Sequence, residues 1–189
     1  MMSALIIAMT FVPYLGYISY GALSITLIHI PVIIGAIVLD PKAGAFFGGI
    51  FGLTSFLACF NGISPFGAAL VGMNIFYTAV ICFVPRILMG WGCGMIFTSL
   101  YKHRVAPFWS GLAAGLSASL INTVGFTGLV FAFFWNSPYI QGMAAGQNIL
   151  AFALIFVGIN GLIEAIICTI LSATISRALL PFIRTIPNT

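Results

Sequence analysis

Residues 25–55, ITLIHIPVIIGAIVLDPKAGAFFGGIFGLTS, contain two apolar runs joined by one polar turn. The first run ends at Leu39 and the second begins at Ala43, with Asp40-Pro41-Lys42 between them. Long apolar runs with few charges are typical of helices that cross a membrane, and the polar turn would connect two of them at its surface. This stretch therefore predicts a helical membrane protein.

The rest of the chain has the same character. Of its 189 residues, 62% are hydrophobic and 4% are charged, whereas a soluble domain has about 25% charged residues. A membrane helix needs about 20 apolar residues, so this length allows roughly six spans. Barrel strands alternate polar and apolar residues, and these runs are uniformly apolar. We expect an all-α integral membrane protein, a bundle of six transmembrane helices that forms one membrane domain over residues 1–189.

The apolar runs divide the chain. The predicted spans cover residues 1–14, 26–39, 43–60, 80–101, 106–134 and 148–180. The first is short, so it either continues past Pro13 or begins upstream of Met1. Residues 14–24 hold three Tyr and two Gly, which predicts an interfacial loop because Tyr favours the headgroup region. Residues 66–79 predict an irregular or re-entrant segment before the fourth span.

The cations orient these spans. Five of the six flank the runs on what can be drawn as one side of the membrane: Lys42, Lys102, Arg104, Arg177 and Arg184. Because cytoplasmic loops are rich in Lys and Arg, both termini are predicted to be cytoplasmic. The external connections are then residues 14–24, 61–79 and 135–147, which contain no charged residue but many aromatic, Asn, Gly and Pro residues. They fit either a lid over a pocket for a small organic molecule or an ordinary aromatic belt.

Polar residues inside the apolar runs are candidates for function, because an ionisable group is costly in a membrane. Arg86 and Glu164 either pair with each other, or Arg86 receives an anionic group of a substrate, since its planar fork can bond both carboxylate oxygens. Asn160 lies four residues before Glu164, on the same helix face. With residues of the external connections, the predicted substrate-binding set is Arg86, Asn74, Asn122, Asn160, Tyr14, Tyr17, Asn61 and Trp135.

Other patterns indicate packing. Small residues recur at every fourth position, which lets membrane helices approach closely: Gly44, Gly48 and Gly52, then Gly111, Gly115 and Ser119. Ala4 and Ala8 form a similar pair, with docking of another protein's helix as an alternative use. His29 is interpreted as a packing or hydrogen-bonding histidine, and the four cysteines as apolar fillers without a CxxC spacing. The chain has no HExxH, GxSxG or Walker motif.

Together these features resemble the substrate-binding S component of energy-coupling factor (ECF) vitamin transporters. Residues 25–55 are similar to the second and third helices of that family, and Pro85-Arg86-Ile-Leu-Met-Gly90 to the start of its fourth. Ala4-x-x-x-Ala8 matches the first-helix AxxxA by which S components dock on the coupling subunit. The resemblance covers essentially the whole chain.

The resemblance implies a vitamin-binding subunit of a bacterial plasma-membrane importer. It would reorient in the bilayer when it docks on the transmembrane coupling subunit EcfT with its two ATPases, EcfA and EcfA'. ATP would then lie on those ATPases, with no cofactor and no enzyme activity in this chain.

The substrate is a further expectation. Residues 25–31, ITLIHIP, look most like the pantothenate-specific members. S components for hydroxymethylpyrimidine, riboflavin or cobalamin share the scaffold and stay open as alternatives. A stand-alone secondary transporter would need a relay of carboxylates across the membrane, and only Glu164 is available for one.

Overall fold

The computed structural model describes residues 2–12, 17–20 and 23–179. In that part of the chain, eight helices accompany one two-stranded hairpin. In chain order the elements are α1 (Met2–Phe11), β1 (Tyr17–Tyr20), β2 (Leu23–Thr26), α2 (His29–Val38), α3 (Pro41–Phe60), α4 (Pro65–Met73), α5 (Ile75–Lys102), α6 (Pro107–Phe134), α7 (Pro138–Ala144) and α8 (Ile149–Ala178).

Four helices are long and apolar enough to cross a membrane. They are α3, α5, α6 and the Gly161–Ala178 part of α8. The apolar helices α1 and α2 have 10 residues each, about half of the usual length of a span. The prediction of a helical, multi-pass membrane protein is confirmed.

The segment predicted as an interfacial loop contains a hairpin. β1 and β2 pair antiparallel, with Tyr17 opposite Thr26 and Tyr20 opposite Leu23. Aromatic and β-branched residues in YISY and LSIT favour strands, so the tyrosines that indicated an interface also suit a sheet. The second apolar run accordingly becomes helical at His29 rather than at Thr26.

The segment predicted as irregular, residues 66–79, is mostly helical. Pro65 occupies the first turn of α4, and the Ser64 side chain accepts a hydrogen bond from the Gly67 amide. The chain breaks at Asn74, and α5 starts at Ile75 instead of residue 80. Asn74 Oδ1 accepts hydrogen bonds from the Phe76 and Tyr77 amides. This N-cap explains the early start.

Small residues bring the long helices together, as predicted. Gly44 lies against the backbone of Gly90, and Gly48 against the backbone carbonyl of Arg86. A Cβ at Gly52 would lie 2.9 Å from the Cys82 carbonyl oxygen. Helices α3 and α5 are therefore antiparallel neighbours at backbone contact. Helices α6 and α8 pack in the same manner, through Gly111 against Ser176 and Gly115 against Cys168.

The α3–α5 and α6–α8 pairs place the cations that flank the long helices, within the described residues, at one end of the bundle. We call this end the charged end. Pro41, at the start of α3, contacts Gly94 in the last part of α5. Ser176 Oγ, near the end of α8, donates a hydrogen bond to the Pro107 carbonyl at the start of α6 (3.0 Å). The charged end thus carries Lys42, Lys102, Arg104 and Arg177. Arg184 lies outside the described residues.

The opposite end, which we call the uncharged end, is covered by α4 and α7. One apolar cluster joins Leu70 of α4, Ile140 of α7 and Phe134 of α6. The connections at this end, residues 61–74 and 135–148, contain no Lys, Arg, Asp or Glu. The charge asymmetry read from the sequence is therefore also present in the folded bundle.

Candidate ligand-binding site

Arg86 of α5 is buried in the bundle, with 8% of its surface exposed. Its Nη1 donates a hydrogen bond to the Ile81 carbonyl at 2.6 Å, and its Nη2 donates one to Ser55 Oγ of α3 at 3.4 Å. The contact of Gly48 with the Arg86 backbone is what brings α3 close enough for these side chains to meet. The guanidinium is thus held between two helices.

Two aromatic rings flank this guanidinium. Its Cζ lies 5.5 Å from the ring centroid of Phe51 and 5.0 Å from that of Phe126, which belong to α3 and α6. Both distances are within the range of cation–π attraction. The rings partly compensate the cost of a cation in an apolar interior, and they restrict the orientation of the guanidinium.

Glu164 pairs with His29 rather than with Arg86. His29 Nδ1 of α2 lies 2.7 Å from Glu164 Oε1 of α8. The Phe51 ring, which flanks Arg86, also contacts His29. The two ring centroids are 5.3 Å apart in an edge-on arrangement. The predicted alternative of an Arg86–Glu164 pair is therefore not what the fold adopts. His29 therefore makes a contact between helices, in line with the packing role that was one of the two interpretations of this residue.

Arg86 consequently lacks a carboxylate partner in the described part of the chain. The two acidic residues of the sequence are Asp40 and Glu164. Asp40 caps the start of α3 by accepting from the Ala43 amide at the charged end, and Glu164 is paired with His29. Arg86 Nε is buried and donates no hydrogen bond to any residue between 23 and 179. A buried cation with an unused donor is suited to an anionic ligand.

Asn122 lies one helical turn from Phe126, the α6 ring that flanks Arg86. It is buried, at 8% exposure, and lies four residues before Phe126, so both project from one face of α6. Asn122 Oδ1 and the nearby Ser119 Oγ have no hydrogen-bond partner among the described residues. A buried polar group without a partner costs about 1–3 kcal/mol. The site therefore combines a cationic donor with an unused acceptor.

The other predicted site residues lie elsewhere. Asn74 is 12 positions before Arg86 along α5, about 18 Å at 1.5 Å per residue, and its side chain caps that helix. Asn61 is exposed at the end of α3. Trp135 follows α6, with its ring 5.5 Å from Phe131 and 6.3 Å from Phe152. Tyr14 and the side chains of Tyr17 and Asn160 lie outside what the structure describes.

Sequence reasoning missed Phe51, Ser55 and Phe126. A signal was available for Phe126, since it follows the candidate Asn122 by four residues. Ser55 and Phe51 share the side of α3 that carries Gly48 and Gly52, which the glycine spacing marked as a helix contact.

Aromatic rings connect this site to the uncharged end. The Phe66 ring of α4 lies 6.4 Å from Phe126 and 6.2 Å from Tyr139 of α7. Because Phe126 also flanks Arg86, the two short helices lie above the site. That these uncharged connections form a lid over a pocket stays a prediction.

The fold and the site define a multi-pass membrane protein that encloses a small polar site within an apolar bundle. The sequence profile of the family described as "ECF transporter, substrate-specific component" matches residues 1–176. The chain therefore belongs to this family of transport proteins, in agreement with the resemblance of its residue patterns. Membership of the family implies association with an ECF module.

Two curated bacterial relatives cover most of the chain. It is 34% identical over 186 residues to the pantothenate transporter PanT of Leuconostoc mesenteroides subsp. mesenteroides. The matched region covers 94% of this chain and 88% of the relative. It is 32% identical over 169 residues to the pantothenic acid transporter PanT of Lactococcus lactis subsp. cremoris. This match covers 82% of this chain and 76% of the relative. Their source agrees with the predicted location in a bacterial cell membrane.

Proposed function

We propose that this protein is the substrate-binding subunit of an ATP-driven ECF importer and that its substrate is pantothenate. One observation carries the assignment: the buried Arg86 guanidinium has an unused Nε and no carboxylate partner among the described residues. A cation in that position needs an anion that comes from outside the chain. Both curated relatives are named as pantothenate transporters.

The chemistry of pantothenate suits these side chains. Its carboxylate accepts charge-assisted hydrogen bonds from Arg86, which are shorter and stronger than neutral ones. Its hydroxyl and amide hydrogens are donors for the buried oxygens of Asn122 and Ser119. Binding then satisfies Arg86 Nε, Asn122 Oδ1 and Ser119 Oγ, which have no hydrogen-bond partner among the described residues.

The proposed topology has six spans, with the ten-residue α1 and α2 counted beside the four long helices. Both termini are cytoplasmic, because the described cations of the charged end then face the cytoplasm. The uncharged end faces outward, and substrate arrives there, past Phe66 and Phe126.

The proposed partners follow from α1. Ala4 and Ala8 are both exposed on this helix, whereas Ile6 between them is fully buried. Their small side chains permit close contact with a helix of EcfT. The two ATPases, EcfA and EcfA', hydrolyse ATP, this chain holds no cofactor, and docking reorients it to release the vitamin inside.

Isothermal titration of purified protein with pantothenate tests the substrate assignment. Arg86→Ala removes the charge-assisted hydrogen bonds, worth about 1.5–3 kcal/mol, so affinity falls about 10- to 150-fold. Arg86→Lys recovers only part of this loss, because an ammonium cannot reproduce the planar fork. Lys102→Ala removes a cation at the charged end and serves as the matched control, with unchanged affinity.

Titrations with riboflavin, cobalamin and hydroxymethylpyrimidine complete this test. Tight binding of one of these without pantothenate binding contradicts the substrate, and an Arg86→Ala protein that binds pantothenate normally contradicts the site. Copurification with EcfT and the ATPases tests the assembly separately.

A further inference from the structure

Pro85 lies inside α5, immediately before Arg86. Proline has no amide hydrogen, so it cannot donate the helical hydrogen bond to the carbonyl four residues earlier. That carbonyl belongs to Ile81, a fully buried residue. A backbone acceptor without its donor is unfavourable in an apolar bundle, so the position demands another donor.

Arg86 supplies this donor. Its Nη1 lies 2.6 Å from the Ile81 carbonyl oxygen. The proline therefore creates the acceptor, and the next residue fills it. With any other residue at position 85, a backbone amide would compete for the same oxygen and weaken the hold on the guanidinium.

The remaining contacts determine which edge of the guanidinium stays open. Phe51 and Phe126 flank it, and Ser55 Oγ takes one hydrogen of Nη2 at 3.4 Å. A guanidinium has five N–H donors in a rigid plane. Nε and Nη2 lie side by side on one edge of that plane, and Nε is unused within residues 23–179. This pair matches the two oxygens of a carboxylate.

We propose that Pro85 is a positioning residue for substrate recognition: by leaving the Ile81 carbonyl free, it anchors Arg86 with the Nε–Nη2 edge open to the substrate carboxylate. The proposal rests on the proposed function, because Arg86 must bind that carboxylate.

The test compares binding of pantothenate with binding of pantothenol, in which an alcohol replaces the carboxylate. Pro85→Ala restores the amide and keeps the Cβ that packs near Gly125. Affinity for pantothenate should fall about 2- to 12-fold, the cost of immobilising a side chain that is no longer anchored. Affinity for pantothenol should stay the same. The melting temperature should stay equal or rise, because alanine is a far better helix former than proline.

Matched variants separate positioning from stability. Pro107→Ala alters a proline in the first turn of α6, where no helical carbonyl depends on it, and should change neither property. The double variant Pro85→Ala/Arg86→Ala should bind pantothenate as Arg86→Ala does, because both changes act through one group. Pro85→Ser, which also restores the amide, provides a second variant should alanine impair purification.

Each failure has a distinct signature. If Pro85→Ala binds pantothenate as tightly as the unmodified protein while Arg86→Ala binds weakly, the role of Pro85 is overturned and the proposed function stands. Equal weakening for both ligands with a lower melting temperature shows a structural role and also overturns it. Normal pantothenate binding by Arg86→Ala overturns both proposals.

Discussion

His29 Nδ1 and Glu164 Oε1 lie 2.7 Å apart, and their side chains are 1% and 10% exposed. The contact joins the short helix α2 to the long helix α8 within the bundle. It also leaves Arg86 as a buried cation without a carboxylate partner in the described residues. The division of roles among these three ionisable side chains is what makes Arg86 a candidate for ligand binding and His29–Glu164 a structural contact.

Loss of Glu164 is expected to destabilise the protein. Glu164→Leu removes the acid that contacts the buried His29, and a buried polar group that loses a partner costs about 1–3 kcal/mol. Thermal unfolding in detergent measures this as a lower melting temperature. The double variant His29→Phe/Glu164→Leu should recover much of the loss, because apolar replacements of a buried pair are often neutral. Recovery by Arg86→Leu instead of His29→Phe would show that Glu164 pairs with Arg86 after all.

Gly48 and its neighbour Gly49 provide a matched pair for helix packing. Gly48→Ala places a methyl group against the Arg86 carbonyl oxygen, so α3 and α5 must separate. Overpacking of this kind costs about 1–3 kcal/mol, and pantothenate affinity should fall as Ser55 and Phe51 retreat from Arg86. At Gly49 the nearest atom to an added Cβ is Ile87 Cγ1, at 3.9 Å. Gly49→Ala should therefore keep both the melting temperature and the affinity. Equal melting temperatures for the two variants would contradict the tight α3–α5 contact.

Docking through α1 is tested by adding bulk to its exposed face. Ala4→Trp or Ala8→Trp should weaken capture of this protein by tagged EcfT, because close helix approach needs small side chains. Pantothenate titration of the same variants should be nearly unchanged. Val124→Trp on α6, where the residue is 68% exposed, controls for a bulky residue on a lipid-facing surface. Normal capture combined with lost ligand affinity would place α1 in the binding site instead.

Cover by the uncharged end is tested by thiol labelling. All four native cysteines are buried, so one introduced cysteine reports on its own surroundings. Ile63, between α3 and α4, is 42% exposed, and Ile63→Cys should react more slowly with a maleimide once pantothenate is bound. Leu39→Cys, 56% exposed near the charged end, should react at an unchanged rate. The same slowing at both positions would point to a general effect of ligand on stability.

The sequence by itself determined the membrane class, the family and the ends of the bundle. Uniform apolar runs can be stable only in lipid, and each cation outside those runs lies near the end of one, so charge asymmetry is readable without coordinates. Glycine spacing also predicted the helix contacts, because a period of four residues marks one helix face. Local signals that overlap are harder to separate: Tyr17 and Tyr20 suit an interface but lie in a strand. Asn74, predicted to bind substrate, caps α5 instead.

The partners of the ionisable groups were decided only by the tertiary structure. Arg86 and Glu164 both lie in apolar runs, and nothing in their spacing says that His29, far earlier in the chain, takes the acid. Nor does it say that Phe51 and Phe126 flank the guanidinium. These contacts join helices distant in sequence, and which faces meet depends on how α2, α3, α5, α6 and α8 pack against one another. A hydrogen bond needs atoms placed within a few tenths of an ångström, and helical periodicity alone does not define positions across helices to that accuracy.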